Sequence, residues 1–158
     1  MIVQVYMPIT AHEEDEVDSI YEIIEERLEG IKGKEYVTVM GDWNASVGEG
    51  GQEKCVGQYG LGKRNERGDK LIEFCNGQEL LITNTCFQQE KRRIYTWKAP
   101  GDGARYQLDY IMVRQRYRNS VKISRALPGA DADTGGNDST PSAKIHREEE
   151  SSDDEEME

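Results

Sequence analysis

Histidine is down to two residues in 158, His12 in the first loop and His146 near the acidic end, which leaves little for chemistry that needs an imidazole. Cysteine is nearly as scarce: Cys55, Cys75 and Cys86 form an odd set with no CxxC spacing. That excludes a finger-type zinc site and argues against a disulfide framework, so reduced thiols in a nuclear or cytoplasmic protein are expected. Long apolar runs are missing too; nothing approaches the roughly 20 residues of a membrane span. The opening Met1-Ile2-Val3-Gln4 has no basic leader or cleavage site, so no secretory signal is expected. Hydrophobic residues make up 35% of the chain, below the about 45–50% usual on a scale that also counts glycine. The length suffices for one domain, with a thin core.

What charge there is lies unevenly. The net value is −11, and residues 131–158 hold 11 acidic against 2 basic side chains. Residues 12–30 carry nine acids and one base, whereas residues 54–125 carry 15 bases and seven acids. The early acidic run reads as a solvated helix face. The basic late half suits a phosphate backbone, or is simply a scatter of solvated Lys and Arg. Residues 131–158 lack the apolar surface to offset their chain entropy and are expected to be a disordered acidic tail after a body spanning residues 1–130. Such a tail could recruit a basic protein partner such as histones, or cover the basic face of its own chain; a plain solvated tail is the simpler reading.

The body alternates strand and helix patterns. Ile2 to Met7 reads as a strand stopped by Pro8, which has no amide to donate. Glu13 to Leu28 reads as a helix capped by Thr10, with Val17, Ile20, Tyr21, Ile24 and Leu28 on one face, and Gly30 and Gly33 ending it. Tyr36 to Met40 is a second strand. A strand–helix–strand unit of this kind predicts a layered α/β architecture. Residues 46–64 are glycine-rich and read as a long surface loop. Asn65 is positioned to cap a helix from Glu66 to about Asn76, with Leu71, Phe74 and Cys75 inward. Strands are then expected at Leu80 to Thr83, Arg93 to Trp97, Tyr106 to Val113 and Val121 to Ser124, the middle two joined by Pro100-Gly101-Asp102-Gly103.

The second strand runs into Gly41-Asp42-Trp43-Asn44. Residues i and i+2 of an extended chain share a face, so Asp42 and Asn44 bring a carboxylate and a carboxamide to one rim. Phosphodiester hydrolysis needs such a pair, one group to ready a water and one to donate to the charge developing on phosphorus. An ordinary Asx turn accounts for the same four residues.

Further motifs follow in order: Tyr6-Met7-Pro8, the Gly-Asp-Trp-Asn loop, Gly62-Lys63-Arg64-Asn65-Glu66-Arg67-Gly68, Thr83-Asn84, Tyr95-Thr96-Trp97 and Leu108-Asp109-Tyr110-Ile111. Over roughly residues 1–132 the set resembles the endonuclease/exonuclease/phosphatase family, whose fold is that of pancreatic deoxyribonuclease. Within it, the set is most similar to LINE/RTE-type retrotransposon endonuclease domains. The resemblance implies an α/β layered β-sandwich flanked by helices, incomplete relative to the family. It implies Mg²⁺ as cofactor and DNA, or RNA, as partner. It casts Asp42 as the water-activating aspartate, Asn44 as the phosphoryl donor, Tyr6 as a phosphate contact and Asp109 as the aspartate that orients a closing histidine. Arg67 and Asn84 match backbone-contacting positions, while Trp97 and Tyr106 either line the groove for stacking on a base or sugar, or pack in the core. The family's metal-binding Glu and first-strand Asn fall upstream of Tyr-x-Pro, where this sequence has only Met1. Its closing Ser-Asp-His falls on Ala130-Asp131-Ala132-Asp133-Thr134-Gly135-Gly136-Asn137, which has no histidine. The metal ligands are therefore unassigned, and hydrolysis is expected to be weak or absent. A nucleic-acid-binding module without catalysis and an interaction protein working through the acidic tail are the alternatives.

Overall fold

In the computed structural model the described residues are 1–9, 14–101, 103–127 and, by backbone alone, 143–146. They form, in chain order, β1 (Ile2–Tyr6), α1 (Glu14–Glu29), β2 (Thr38–Asp42), α2 (Glu66–Gly77), β3 (Leu80–Ile82), β4 (Trp97–Lys98), β5 (Arg105–Tyr106), β6 (Asp109–Arg114), β7 (Ile123–Ala126) and β8 (Ala143–His146). The main sheet has the order β1-β2-β6-β3, and the pairs β4-β5 and β7-β8 stand apart from it. Strands β1 and β2 are parallel, so the chain between them must cross over, and α1 makes that crossing. The other pairings of the sheet, β2 with β6 and β6 with β3, are antiparallel.

Each helix forms for reasons visible locally. The first turn of α1 holds Glu14, Asp15 and Glu16, where the helix dipole favours negative charge, and Val17, Tyr21, Ile24 and Leu28 make its buried stripe. The expected cap, Thr10, lies outside the described residues. At α2 the cap is Asn65, whose Oδ1 accepts from Gly68 N at 2.8 Å and also from Ser46 N at 3.1 Å. One side chain thus starts the helix and docks it on the segment after β2. Gly68 permits that approach, since a Cβ there would sit 1.9 Å from Ser46 O.

Alternation along the strands divides the sheet into two faces. Val3, Val5, Val39, Tyr110, Met112, Leu80 and Ile82 look toward α1 and α2 and join one core cluster with the helix stripes. Its centre is aromatic: Tyr21 stacks on Trp43 with ring centroids 6.0 Å apart and meets Phe74 at 4.8 Å. On the opposite face, the β7–β8 pair lies near β6, and Thr83 Oγ1 donates to Ser124 Oγ at 3.1 Å. That cover does not reach β1, where Ile2 is 72% and Tyr6 65% exposed. Among the described residues no helix is long and apolar enough to cross a membrane.

The strand expected over Arg93 to Trp97 shrinks to Trp97–Lys98, because Lys91–Arg93 forms a 3-10 turn, and three further expectations need correction. Residues 46–64 are not a surface loop throughout: Val47, Cys55 and Val56 are buried, and Val56 bridges to Ile82. Apolar residues spaced without period pack wherever the chain folds back, and periodicity does not report them. The single strand expected over Tyr106 to Val113 divides at Gln107-Leu108, because Thr96 Oγ1 takes the amides of both Leu108 and Asp109 and bends the chain from β5 into β6. Finally, Ala143–His146 within the expected tail pairs antiparallel with β7, an edge able to take another strand. The remainder of that tail, residues 131–142 and 147–158, lies outside the described residues, as does the segment matched to the closing histidine motif.

Candidate functional site

The register of the main sheet brings three predicted residues into one row. Tyr6 is opposite Asp42 across β1–β2, and Asp42 is opposite Asp109 across β2–β6. Directly opposed residues share a face, so all three side chains belong to the face away from the helices. They line an open cleft of about 490 Å³ together with Gln4, Met40 and Ile111. Gly41 makes the row possible. Its φ of +148° and a would-be Cβ 1.8 Å from Val5 O show that only glycine lets β1 and β2 close here.

Among the described residues, no Lys or Arg lines this cleft. Burial raises the Asp42 carboxyl above its ordinary value, partly offset by the Asn44 amide donating to Oδ1 at 2.9 Å. Burial pushes Asp109 up to about 6; a hydrogen bond with the Thr96 hydroxyl opposes the rise, and the charge of Asp42 adds to it. Two desolvated carboxylates without a counter-charge are thus held side by side. Among the described residues no group of three or more His, Cys, Asp or Glu side chains could enclose a metal. The pair suits a Mg²⁺ ion that keeps several waters and binds through one or two carboxylates.

The predicted donors are placed differently. Asn44 adopts a left-handed backbone with φ of 44°, which asparagine tolerates, and its amide Nδ2 donates to Met7 O. Arg67 Nη1 donates to Pro8 O and lines a separate hollow with Ile9, Val17 and Lys70. Both side chains therefore fasten the corner after β1, where Met7 N also donates to Asp42 O at 2.9 Å. Asn84 is 5% exposed, and its Oδ1 accepts from Ile111 N at 2.7 Å, extending the edge of β6 beyond the end of β3. Trp97 and Tyr106 are cross-strand partners in the β4–β5 hairpin, with ring centroids 5.5 Å apart. They lie outside the core cluster, Tyr106 is 44% exposed, and the Arg105 guanidinium sits 5.2 Å from the Tyr95 ring.

Two residues escaped the sequence reading. Thr96, fully buried, accepts from Leu108 N at 2.9 Å and Asp109 N at 3.1 Å, which sets where β6 begins and where Asp109 points. Tyr110 donates from its hydroxyl to Gln107 O at 2.7 Å and accepts from Val47 N at 3.1 Å, tying the loop after β2 to the start of β6. Thr96 stood inside a recognised motif and Tyr110 beside Asp109, but neither role can be assigned without the chain's return path.

Comparison with known proteins bears on the family and the fold. Over 130 residues, 82% of the chain, the sequence is 46% identical to craniofacial development protein 2 of Bos taurus and 44% identical to that of Tragulus javanicus. The chain spans 22% and 23% of the length of these relatives. No family model matches it. Among solved structures, the endonuclease domain of TRAS1, a telomere-specific non-LTR retrotransposon, aligns with a TM-score of 0.51 and 20% identity. The alignment covers 91% of this chain and 56% of that one, and it establishes the fold. The chain is homologous to craniofacial development protein 2 and carries the fold of a retrotransposon endonuclease domain.

Proposed function

We propose that this endonuclease-like domain receives a nucleic-acid phosphodiester, of DNA or RNA, at the Tyr6–Asp42–Asp109 cleft and hydrolyses it weakly or not at all. One observation carries the reading: residues from three separate motifs converge on a single cross-strand row in an open cleft. In that row Asp42 is the base that takes a proton from an attacking water. Tyr6 is exposed enough to donate its hydroxyl to a phosphoryl oxygen. Asp42 and Asp109 would hold Mg²⁺, which when bound polarises the phosphate and stabilises the leaving oxygen. The expected weakness has a local cause. The Asn44 amide and the Arg67 guanidinium, both cast as phosphate or backbone contacts, fasten the Met7–Pro8 corner instead. Removing one donor to the transition-state charge typically costs about 10²–10³ in rate.

The decisive assay is Mg²⁺-dependent nicking of supercoiled plasmid by the chain and by Asp42→Ala. The expected result is trace nicking that disappears in the variant. Brisk nicking, or nicking indifferent to Asp42, would overturn the reading. A second reading, binding without hydrolysis, is favoured by the pair of half-buried Trp97 and exposed Tyr106, flanked by Lys98 and Arg105. It predicts salt-sensitive retention of single-stranded DNA that Asp42→Ala leaves intact and Trp97→Ala weakens.

A further inference from the structure

A second cleft, of about 560 Å³, lies between the end of β3 and the approach to β7, lined by Leu81, Thr83, Cys86, Phe87, Arg118 and Lys122 among others. Among the described residues, no carboxylate lines it. The segment that builds it is unusual in charge, since residues 110–127 contain five bases and no acid. Two of the five have structural employment. Arg114 donates to Gln78 O and Leu28 O at the ends of both helices, and Arg116 donates to Gly33 O. Arg118 and Lys122 are exposed, and neither pairs with a carboxylate among the described residues. Two exposed cations lining one cleft of mixed polar and apolar character make a receptor for an extended anionic chain.

The register of β7–β8 says which anionic chain is nearest. The pair is antiparallel, and its last rung joins Ile123 to His146. The chain therefore leaves β8 on the side of Lys122, one residue before Ile123. Residues 148–158 then supply eight carboxylates and no Lys or Arg, beginning with Glu148-Glu149-Glu150. Even fully extended chain advances only about 3.3 Å per residue, so Glu148, two residues past His146, can lie at most roughly 7 Å from it, and neighbouring strands are about 4.8 Å apart. That is close to the Debye length of about 8 Å at physiological salt, so the attraction is only partly screened. Because the segment is tethered, its effective concentration at the cleft is in the millimolar range, and individually weak ion pairs are then populated.

We propose that the acidic segment 148–158 docks in the Arg118–Lys122 cleft of its own chain, acting as an internal polyanion that any phosphate backbone entering that cleft must displace. This contact does not depend on hydrolysis at the Asp42 cleft. It is tested with the full chain by zero-length carbodiimide cross-linking at low salt, which joins a Lys Nζ to a carboxylate in contact with it, followed by peptide mapping. The expected product is an intramolecular link from Lys122 to Glu148, Glu149 or Glu150, at least fivefold more abundant than links from Lys34, Lys54 or Lys98. Arg118→Ser should lower its yield severalfold, and 1 M salt should abolish it. Comparable links to all four lysines, links only between two copies in an isotope-mixed sample, or no link at Lys122 would each overturn the proposal. Arg118 is exposed, so the variant should fold; an unaltered melting curve checks this.

Discussion

On one face of the main sheet, Val5, Val39 and Met112 lie beneath two helices; an odd number of residues along the same strands, Tyr6, Asp42 and Asp109 face an open cleft. The covered face is held by apolar burial and an aromatic centre, and the four strands of the main sheet contribute to it. The open face gains nothing from its carboxylates, which burial and mutual repulsion both disfavour. Stability and chemistry are thus separated by a single step of the strand period. Changes on one face should alter folding, and changes on the other should alter what the cleft binds.

The largest expected effect is on the covered face. Trp43 is 1% exposed and packs against both Tyr21 and Phe74. Trp43→Ala should lower unfolding free energy by about 3–5 kcal/mol in a urea titration. Trp43→Phe should cost less, because the indole Nε1 has no hydrogen-bond partner to lose. Next comes the one position where the faces cannot be separated. Gly41→Ala would place a methyl group against Val5 O and force a positive φ, at a cost on the order of 3 kcal/mol. It should damage stability and Mg²⁺ binding together, since Gly41 immediately precedes Asp42 in β2.

On the open face the sign reverses. The folded state holds the Asp109 proton more tightly than the unfolded chain does, with its carboxyl pushed from 3.8 up to about 6. Its contribution to stability is therefore complete below about pH 4 and is lost as pH rises through 6. Asp109→Asn should raise the melting temperature at pH 7.5, by stability on the order of 1–2 kcal/mol with water entry into the cleft allowed for, and change it little at pH 4. A variant less stable than the parent at pH 7.5 would break the contrast between faces. The smallest effect belongs to Tyr6→Phe, which should shift stability by less than about 0.5 kcal/mol, as an exposed hydroxyl implies. The same change should weaken plasmid retention measurably.

What could be read from the sequence divides along similar lines. Helix α1 was legible from its 3.6-residue stripe and α2 from Asn65, because both signals are carried by neighbours in the chain. That Asp42 and Tyr6 belong to one candidate site was suggested only by ordered motifs, and their cross-strand pairing was not legible, since register is a long-range property. The uses of Arg67, Asn44, Asn84 and Thr96 were not legible: each is decided by a backbone group that arrives from a distant strand or corner. Arg67 bonds Pro8 across 59 residues and Asn44 bonds Met7 across 37. A side chain able to donate to phosphate is equally able to donate to a carbonyl, and only the fold selects between them.

The most direct test of the paired-carboxylate cleft is a ¹³C carboxyl titration of Asp42 and Asp109 by NMR, with and without Mg²⁺. The predicted result is an Asp109 midpoint at about 6, Asp42 above its ordinary value, and both midpoints falling when Mg²⁺ is added. Ordinary midpoints for both, unmoved by Mg²⁺, would contradict the account.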